Sequence, residues 1–163
     1  MNVFEHAMKM EEDGRAYYVE QAQKTSIPAL KKILLELADD ELKHYNLFKA
    51  MRDSQKAEYQ EAGATTIIAT TKNVFDTLKA EQGDQALPSD PISVWEHARQ
   101  VEKDSEAFYR EKAGETDDPG QKTVWIRIAD EEHRHYAALD NVIQFLSKPS
   151  QWLEDAEWSK LSD

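Results

Sequence analysis

The amino-acid sequence predicts an all-α fold: a four-helix bundle built from two αα-hairpins that repeat one another. Three observations predict it. The 163-residue chain is rich in Glu, Lys, Ala and Leu and holds only five Gly and five Pro, a composition that favours helices. Four long segments place apolar residues at alternating steps of three and four, the spacing of a helix face turned toward a bundle core. A set of polar residues also returns in the same order 91 positions later, Glu11, Glu41 and His44 becoming Glu102, Glu132 and His135.

The four segments run roughly over 2–24, 28–53, 91–114 and 119–147. Pro28 and Pro119 suit a first helical turn, and Ser26 and Asp117 or Asp118 are nearby capping candidates. The gaps at 25–28 and 115–119 are short, so residues 2–53 and 91–147 should each form an antiparallel hairpin. Residues 54–90 are too many for a tight turn and read as a crossover along the bundle, with its own helix near 66–81. Gly83 and the Pro88-Ser89-Asp90-Pro91 cluster should end that crossover. Residues 148–163 read as a short tail helix that packs Trp152, Leu153 and Trp158 on the bundle. Residues 1–163 are thus read as one domain, long enough for a substantial core.

The repeat extends beyond the six polar residues. Glu5-His6-Ala7 returns as Glu96-His97-Ala98, Asp13 as Asp104, Tyr18 as Tyr109, Ala38 as Ala129 and Tyr45 as Tyr136. Register decides where these side chains point. The second segment's stripe is Leu30, Leu34, Leu37, Glu41, His44, Phe48, Met51, and the fourth's is Trp125, Ile128, Glu132, His135, Leu139, Val142, Leu146. The first and third give Phe4, Ala7, Glu11, Gly14, Tyr18 and Trp95, Ala98, Glu102, Ser105, Tyr109. All six polar residues therefore face inward at mid-bundle.

Burying an isolated carboxylate is costly, and four clustered ones also repel each other. No Lys or Arg lies on these stripes to offset them. Protons could offset them, leaving a degenerate site, but two divalent metal ions are the more economical answer. Four carboxylates and two imidazoles without sulfur suit iron or manganese, with zinc a possible occupant. The near two-fold arrangement suggests Glu41 and Glu132 as bridges, Glu11 and Glu102 as terminal carboxylates, and His44 and His135 capping one metal each. Asp40 and Glu131, directly before the Glu-x-x-His pairs, are candidates to accept the second ring proton of the opposite imidazole, Asp40 with His135 and Glu131 with His44.

Composition excludes other chemistry. With no cysteine there are no disulfides, thiolate nucleophiles or Cys-ligated iron–sulfur centres. A formal charge of −12 argues against nucleic acid or an anionic membrane as partner. No apolar run approaches the roughly 20 residues that span a bilayer, and the N-terminus lacks a secretion signal. A cytoplasmic location is the expectation.

At these residues the chain resembles the ferritin-like superfamily and, within it, the rubrerythrin-like proteins. The matching stretches are Met10-Glu11-Glu12-Asp13-Gly14-Arg15-Ala16-Tyr17-Tyr18 with Ala38-Asp39-Asp40-Glu41-Leu42-Lys43-His44, and Val101-Glu102-Lys103-Asp104-Ser105-Glu106-Ala107-Phe108-Tyr109 with Ala129-Asp130-Glu131-Glu132-His133-Arg134-His135. The resemblance implies a ferritin-like bundle around two iron ions, reacting with peroxide or dioxygen. Full rubrerythrins carry a four-cysteine rubredoxin domain that delivers electrons; without it, a separate electron-donor protein is implied. They also carry an extra Glu one turn beyond the terminal Glu of the third helix, where this chain has Ser105, with Glu106 beside it.

Several residues keep two readings. Gly14 and Ser105, one turn after the terminal Glu residues, either leave room for a small oxidant or simply allow close helix packing. Tyr18 and Tyr109 either hydrogen-bond a ligand carboxylate and lend an electron, as catalytic residues, or are plain core tyrosines. Tyr45 and Tyr136 point aside and favour packing or an interface, and His6, His97 and His133 lie off the ligand register. Trp152 and Trp158, read as exposed aromatics, make a homodimer the expected assembly. Three functions follow: a di-iron oxidoreductase reducing hydrogen peroxide or dioxygen, a ferroxidase or iron-handling protein, and a non-catalytic metal-binding scaffold.

Overall fold

A computed structural model describes residues 2–53, 63–82 and 90–161. Its helices are α1 (Val3–Lys24), α2 (Pro28–Arg52), α3 (Ile67–Gln82), α4 (Ile92–Glu115), α5 (Pro119–Ser147) and α6 (Pro149–Glu154), followed by a 3₁₀ turn over Ala156–Lys160. The described residues contain no strand. Helices α1 and α2 pack as one hairpin and α4 and α5 as the other, while α3 lies across α2 and α5. The fold is the all-α bundle the periodicity predicts, and the expected crossover helix is α3. The crossover's end at Gly83 and Pro88–Ser89 lies outside the described residues.

Local chemistry sets the helix ends. The Asn2 side chain accepts from the Glu5 N–H to cap α1. Asp118 caps α5, accepting from the backbone N–H groups of Gly120 and Gln121 at 2.9 and 3.1 Å. Pro28 and Pro119 occupy first-turn positions, where a missing N–H leaves no helical bond unmade. Ser26 does not cap α2. The residue at that N-cap is Ile27, which is buried, and Ser26 instead donates its hydroxyl and backbone N–H to Asp90 at 2.7 and 2.8 Å. Thr25 also hydrogen-bonds to Asp90. One carboxylate thus ties the turn of the first hairpin to the segment that opens the second.

The apolar core is divided in two. One cluster, around Leu34, Leu37, Trp95, Leu139 and Val142, takes in α3 and the tail. The other, around Phe48, Tyr109, Trp125 and Ile128, closes the opposite end with packed aromatic rings. Between them lies a layer of buried Glu and His. Trp152 and Trp158 are 6% exposed and pack edge-on against Phe75 of α3. The tail therefore covers the bundle as expected, but its tryptophans are core rather than the exposed material for a dimer that the sequence suggested. Leucines and tryptophans at a chain end are covered when a crossover helix lies beside them, which sequence register alone does not show. Among the described residues, no helix is long and apolar enough to cross a membrane.

The caps give a measurable consequence. Asp118→Ala removes two side-chain bonds to otherwise unpaired helix-start donors and is expected to cost about 1 kcal/mol. At this chain length that lowers the thermal midpoint by roughly 2–4 °C, read by calorimetry or urea unfolding.

Candidate metal centre

The mid-bundle layer contains Glu11 from α1, Glu41 and His44 from α2, Glu102 from α4, and Glu132 and His135 from α5, each at most 4% exposed. Their positions follow from the helix period. Glu41 and His44 are three residues apart on α2, as are Glu132 and His135 on α5, so each pair shares a face. The donors fall into two overlapping groups: Glu11, Glu41, His44 and Glu132, and Glu41, Glu102, Glu132 and His135. Within each group, one donor atom per residue lies within 4.8 Å of all the others. Glu41 and Glu132 belong to both groups, and the two imidazoles face each other nearly parallel with ring centroids 6.0 Å apart.

The unused donor atoms point to what fits here. Among the described residues, Glu11 Oε2, Glu102 Oε2, Glu132 Oε1, His44 Nδ1 and His135 Nδ1 are buried without a hydrogen-bond partner. His44 Nδ1 stands 3.0 Å from Glu132 Oε1 and 3.5 Å from Glu11 Oε2. His135 Nδ1 stands 3.3 Å from Glu102 Oε1 and 3.6 Å from Glu41 Oε1. Buried polar atoms are ordinarily paired. Five unpaired donors gathered in one layer, all oxygen or imidazole nitrogen, suit a divalent cation of the iron, manganese or zinc type.

The opposite edge of each imidazole is fully engaged. His44 Nε2 lies 2.7 Å from Glu131 Oε1, and His135 Nε2 lies 2.9 Å from Asp40 Oδ2. A carboxylate at Nε2 fixes the ring so that Nδ1 faces the donor groups. Each orienting acid comes from the other hairpin. The tyrosines cross in the same way: Tyr18 donates to Glu102 at 2.5 Å and Tyr109 to Glu11 at 2.6 Å. Each terminal Glu thus has one oxygen held by a phenol and the other free to face the centre.

Charge in this layer is strongly coupled. Burial, reinforced by the neighbouring carboxylates, pushes Glu41 and Glu132 well above the usual carboxylate range. Burial alone would lower the imidazoles. The carboxylates around them, Glu11 for His44 and Glu102 for His135, instead hold both well above their ordinary value. Burial would raise Glu102 too, but His135 beside it brings it down to about 2. Asp40 is likewise lowered against its burial by the bond to His135. Burial and then the adjacent Glu102 or Glu11 raise Tyr18 and Tyr109 well above the ordinary phenol value, so both stay protonated donors.

A cleft of about 340 Å³ opens between α1 and α4 and reaches Glu41, Glu102 and Glu132, with Gly14, Ser105 and Tyr18 in its wall. A methyl group placed on Gly14 would sit 3.3 Å from Glu41 Oε2, so any side chain there presses on a carboxylate. Glu106, beside Ser105, is turned away: it binds Arg110 at 2.8 Å and His133 at 3.0 Å on the bundle surface. Of the remaining histidines, His97 lies in the cleft wall against Tyr17, and His6 packs on Phe108.

One participant escapes the repeat. Thr65, just before α3, donates its backbone N–H to Glu131 Oε2 at 3.0 Å and its hydroxyl to Asp40 Oδ2. In sequence it reads only as a residue near a helix start, because it has no counterpart in either hairpin. The small residues Gly14 and Ser105 hinted at the cleft, but its width depends on how far α1 stands from α4.

A four-helix bundle whose core carries a Glu from each of two helices and a Glu-x-x-His from each of the others defines the ferritin-like class of di-metal carboxylate proteins. The chain belongs to the rubrerythrin family, whose profile, described as Rubrerythrin, matches residues 2–143, from the start of α1 into the last turns of α5. That family binds di-iron, and the buried Glu and His residues here could hold a metal. No curated protein and no solved structure matches the chain.

The coupled charges predict a pH response. A group whose pKa is higher in the fold than in the unfolded chain stabilises below its unfolded value, and that contribution is lost as pH rises through the folded value. For His44 and His135 the ordinary value is 6.5, and Glu41 and Glu132 act in the same sense from 4.5 upward. Asp40 and Glu102, which are lowered, act oppositely but only in acid. Metal-free protein is therefore expected to lose thermal stability as pH climbs above about 6.5, measured by melting in chelator. Metal uptake should strengthen over the same range, because bound protons must leave.

Proposed function

We propose that this protein is a di-iron oxidoreductase that reduces hydrogen peroxide, or dioxygen, to water with electrons from a separate donor protein. The observation that carries the reading is the cleft between α1 and α4. A purely structural metal site is closed, whereas here a passage runs to Glu41, Glu102 and Glu132, with small residues, Gly14 and Ser105, in its wall. In this reading Glu11, Glu41, His44, Glu102, Glu132 and His135 hold two iron ions, with Glu41 and Glu132 shared between them. When bound, the iron pair supplies the two electrons that reduction of one peroxide to two waters consumes, along with two protons.

The chain's own residues prepare that chemistry. Asp40 and Glu131 hold the imidazoles in the orientation that presents Nδ1. Tyr18 and Tyr109 fix the terminal carboxylates and keep a proton on a phenol directly beside them. Phenols so placed are the nearest buried O–H donors to the ligand carboxylates. The two apolar clusters above and below shield the layer, and the cleft opens to it between α1 and α4.

A second reading, iron oxidation, is favoured by the two aspartates in the cleft wall, Asp13 and Asp104, which suit passage of a cation. Stopped-flow oxidation of anaerobically iron-loaded protein separates the two. Much faster reaction with peroxide than with dioxygen supports the reductase. Consumption of excess Fe(II) with ferric product supports the ferroxidase.

Two substitutions test the site. Glu41→Gln with Glu132→Gln should abolish tight binding of both ions, read by metal analysis after gel filtration; retained binding would remove these residues from the site. Ser105→Leu should slow oxidation by peroxide by an order of magnitude while metal content stays unchanged. Unaltered kinetics would mean that the cleft is not the route of entry.

A further inference from the structure

The tyrosine–glutamate and imidazole–acid contacts around the centre each occur twice, once for each hairpin, and those of Thr65 do not. Tyr18 with Glu102 answers Tyr109 with Glu11, and His44 with Glu131 answers His135 with Asp40. Thr65 belongs to neither repeat, yet it contacts both orienting carboxylates. Its two contacts differ in kind. Glu131 Oε2 is held by the Thr65 backbone N–H, whereas Asp40 is held by the side-chain hydroxyl. The oxygen that accepts from that hydroxyl, Asp40 Oδ2, is also the one that meets His135 Nε2. The hydroxyl oxygen in turn accepts from the Ile67 N–H at 3.2 Å, which fixes its rotamer at the start of α3. Among the described residues, Asp40's other oxygen faces the exposed Lys43 ammonium, 3.8 Å away.

We propose that Thr65 is a positioning residue that supports the two halves of the centre in different ways: its hydroxyl sets Asp40 and through it His135, while its backbone N–H serves Glu131 and the His44 half. The inference rests on the reading that the six Glu and His residues hold two metal ions. Without the hydroxyl, Asp40 has no short bond besides the one to His135, and the carboxylate is free to rotate about its side chain. The imidazole it orients then loses its fixed aim. Glu131 keeps its contacts with His44 and with the Thr65 backbone, because no substitution at Thr65 short of proline removes that N–H. Partners of metal-ligating imidazoles commonly alter metal affinity by roughly 10–100-fold when removed.

The test is anaerobic titration with Co(II), followed by its visible d–d absorption, on the full chain and on Thr65→Val, Thr65→Ser and Asp40→Asn. Valine keeps the shape and branching but not the hydroxyl; serine keeps the hydroxyl. The expected result is two ions of similar affinity in the unaltered chain and in Thr65→Ser. Thr65→Val should bind one ion unchanged and the other about tenfold or more weakly. Asp40→Asn should show the same split, and the double variant should be no worse than either single one, since both act on one limb. Thr65→Ala serves the same comparison if valine disturbs the turn.

Equal binding by Thr65→Val and the unaltered chain would overturn the proposal. So would equal loss in Thr65→Val and Thr65→Ser, which would trace the effect to packing of the crossover. If the unaltered chain itself binds no pair of ions, the metal reading fails along with this one; if it binds two and only the Thr65 variants behave as wild type, the metal reading stands and the positioning role falls.

Discussion

Mutual repulsion among four buried carboxylates is the constraint around which this chain is organised. Placed in one layer of a helical core, they demand either protons or cations, and helix register puts them there as firmly as it puts leucines above and below. Much of the surrounding detail answers that demand. Two imidazoles are held charged, two phenols donate, and two further acids turn the imidazoles toward the centre. Even the division of the apolar core into two clusters reflects the polar layer that lies between them.

Much of this was legible in the residue order, for physical reasons. A period of 3.6 residues is a strict constraint, so once the apolar stripes are traced, the inward direction of Glu11, Glu41, His44 and their counterparts follows. The duplication adds a second, independent reading of each position. The pairing of Asp40 with His135 and Glu131 with His44 could be anticipated because an acid preceding Glu-x-x-His lies about 100° from the ligand face and so reaches across to a neighbouring helix.

What escaped the sequence is what periodicity does not encode. Thr65 lies in a connecting segment, where no repeat constrains it and where only the path of the chain decides its neighbours. The width of the cleft depends on the separation of α1 and α4. Ser26 looked like a helix cap and serves Asp90 instead, because a tertiary partner 64 residues away outcompetes the local one. Trp152 and Trp158 looked like interface residues because their cover, Phe75, comes from a helix whose position the sequence does not fix. Glu106 is withdrawn by Arg110 and His133, a surface pairing that register alone does not reveal.

The crossed contacts between the hairpins carry a consequence for assembly. Either hairpin alone contains only three of the four donors of its group, an imidazole without its orienting acid and a tyrosine without its carboxylate. Closing the bundle and completing the site are therefore a single event. During synthesis or after partial opening, a lone hairpin offers a cation an unfinished cradle with a freely turning ring. A full set of four donors is thereby confined to molecules whose two hairpins have already met, so completion of the site reports completion of the fold.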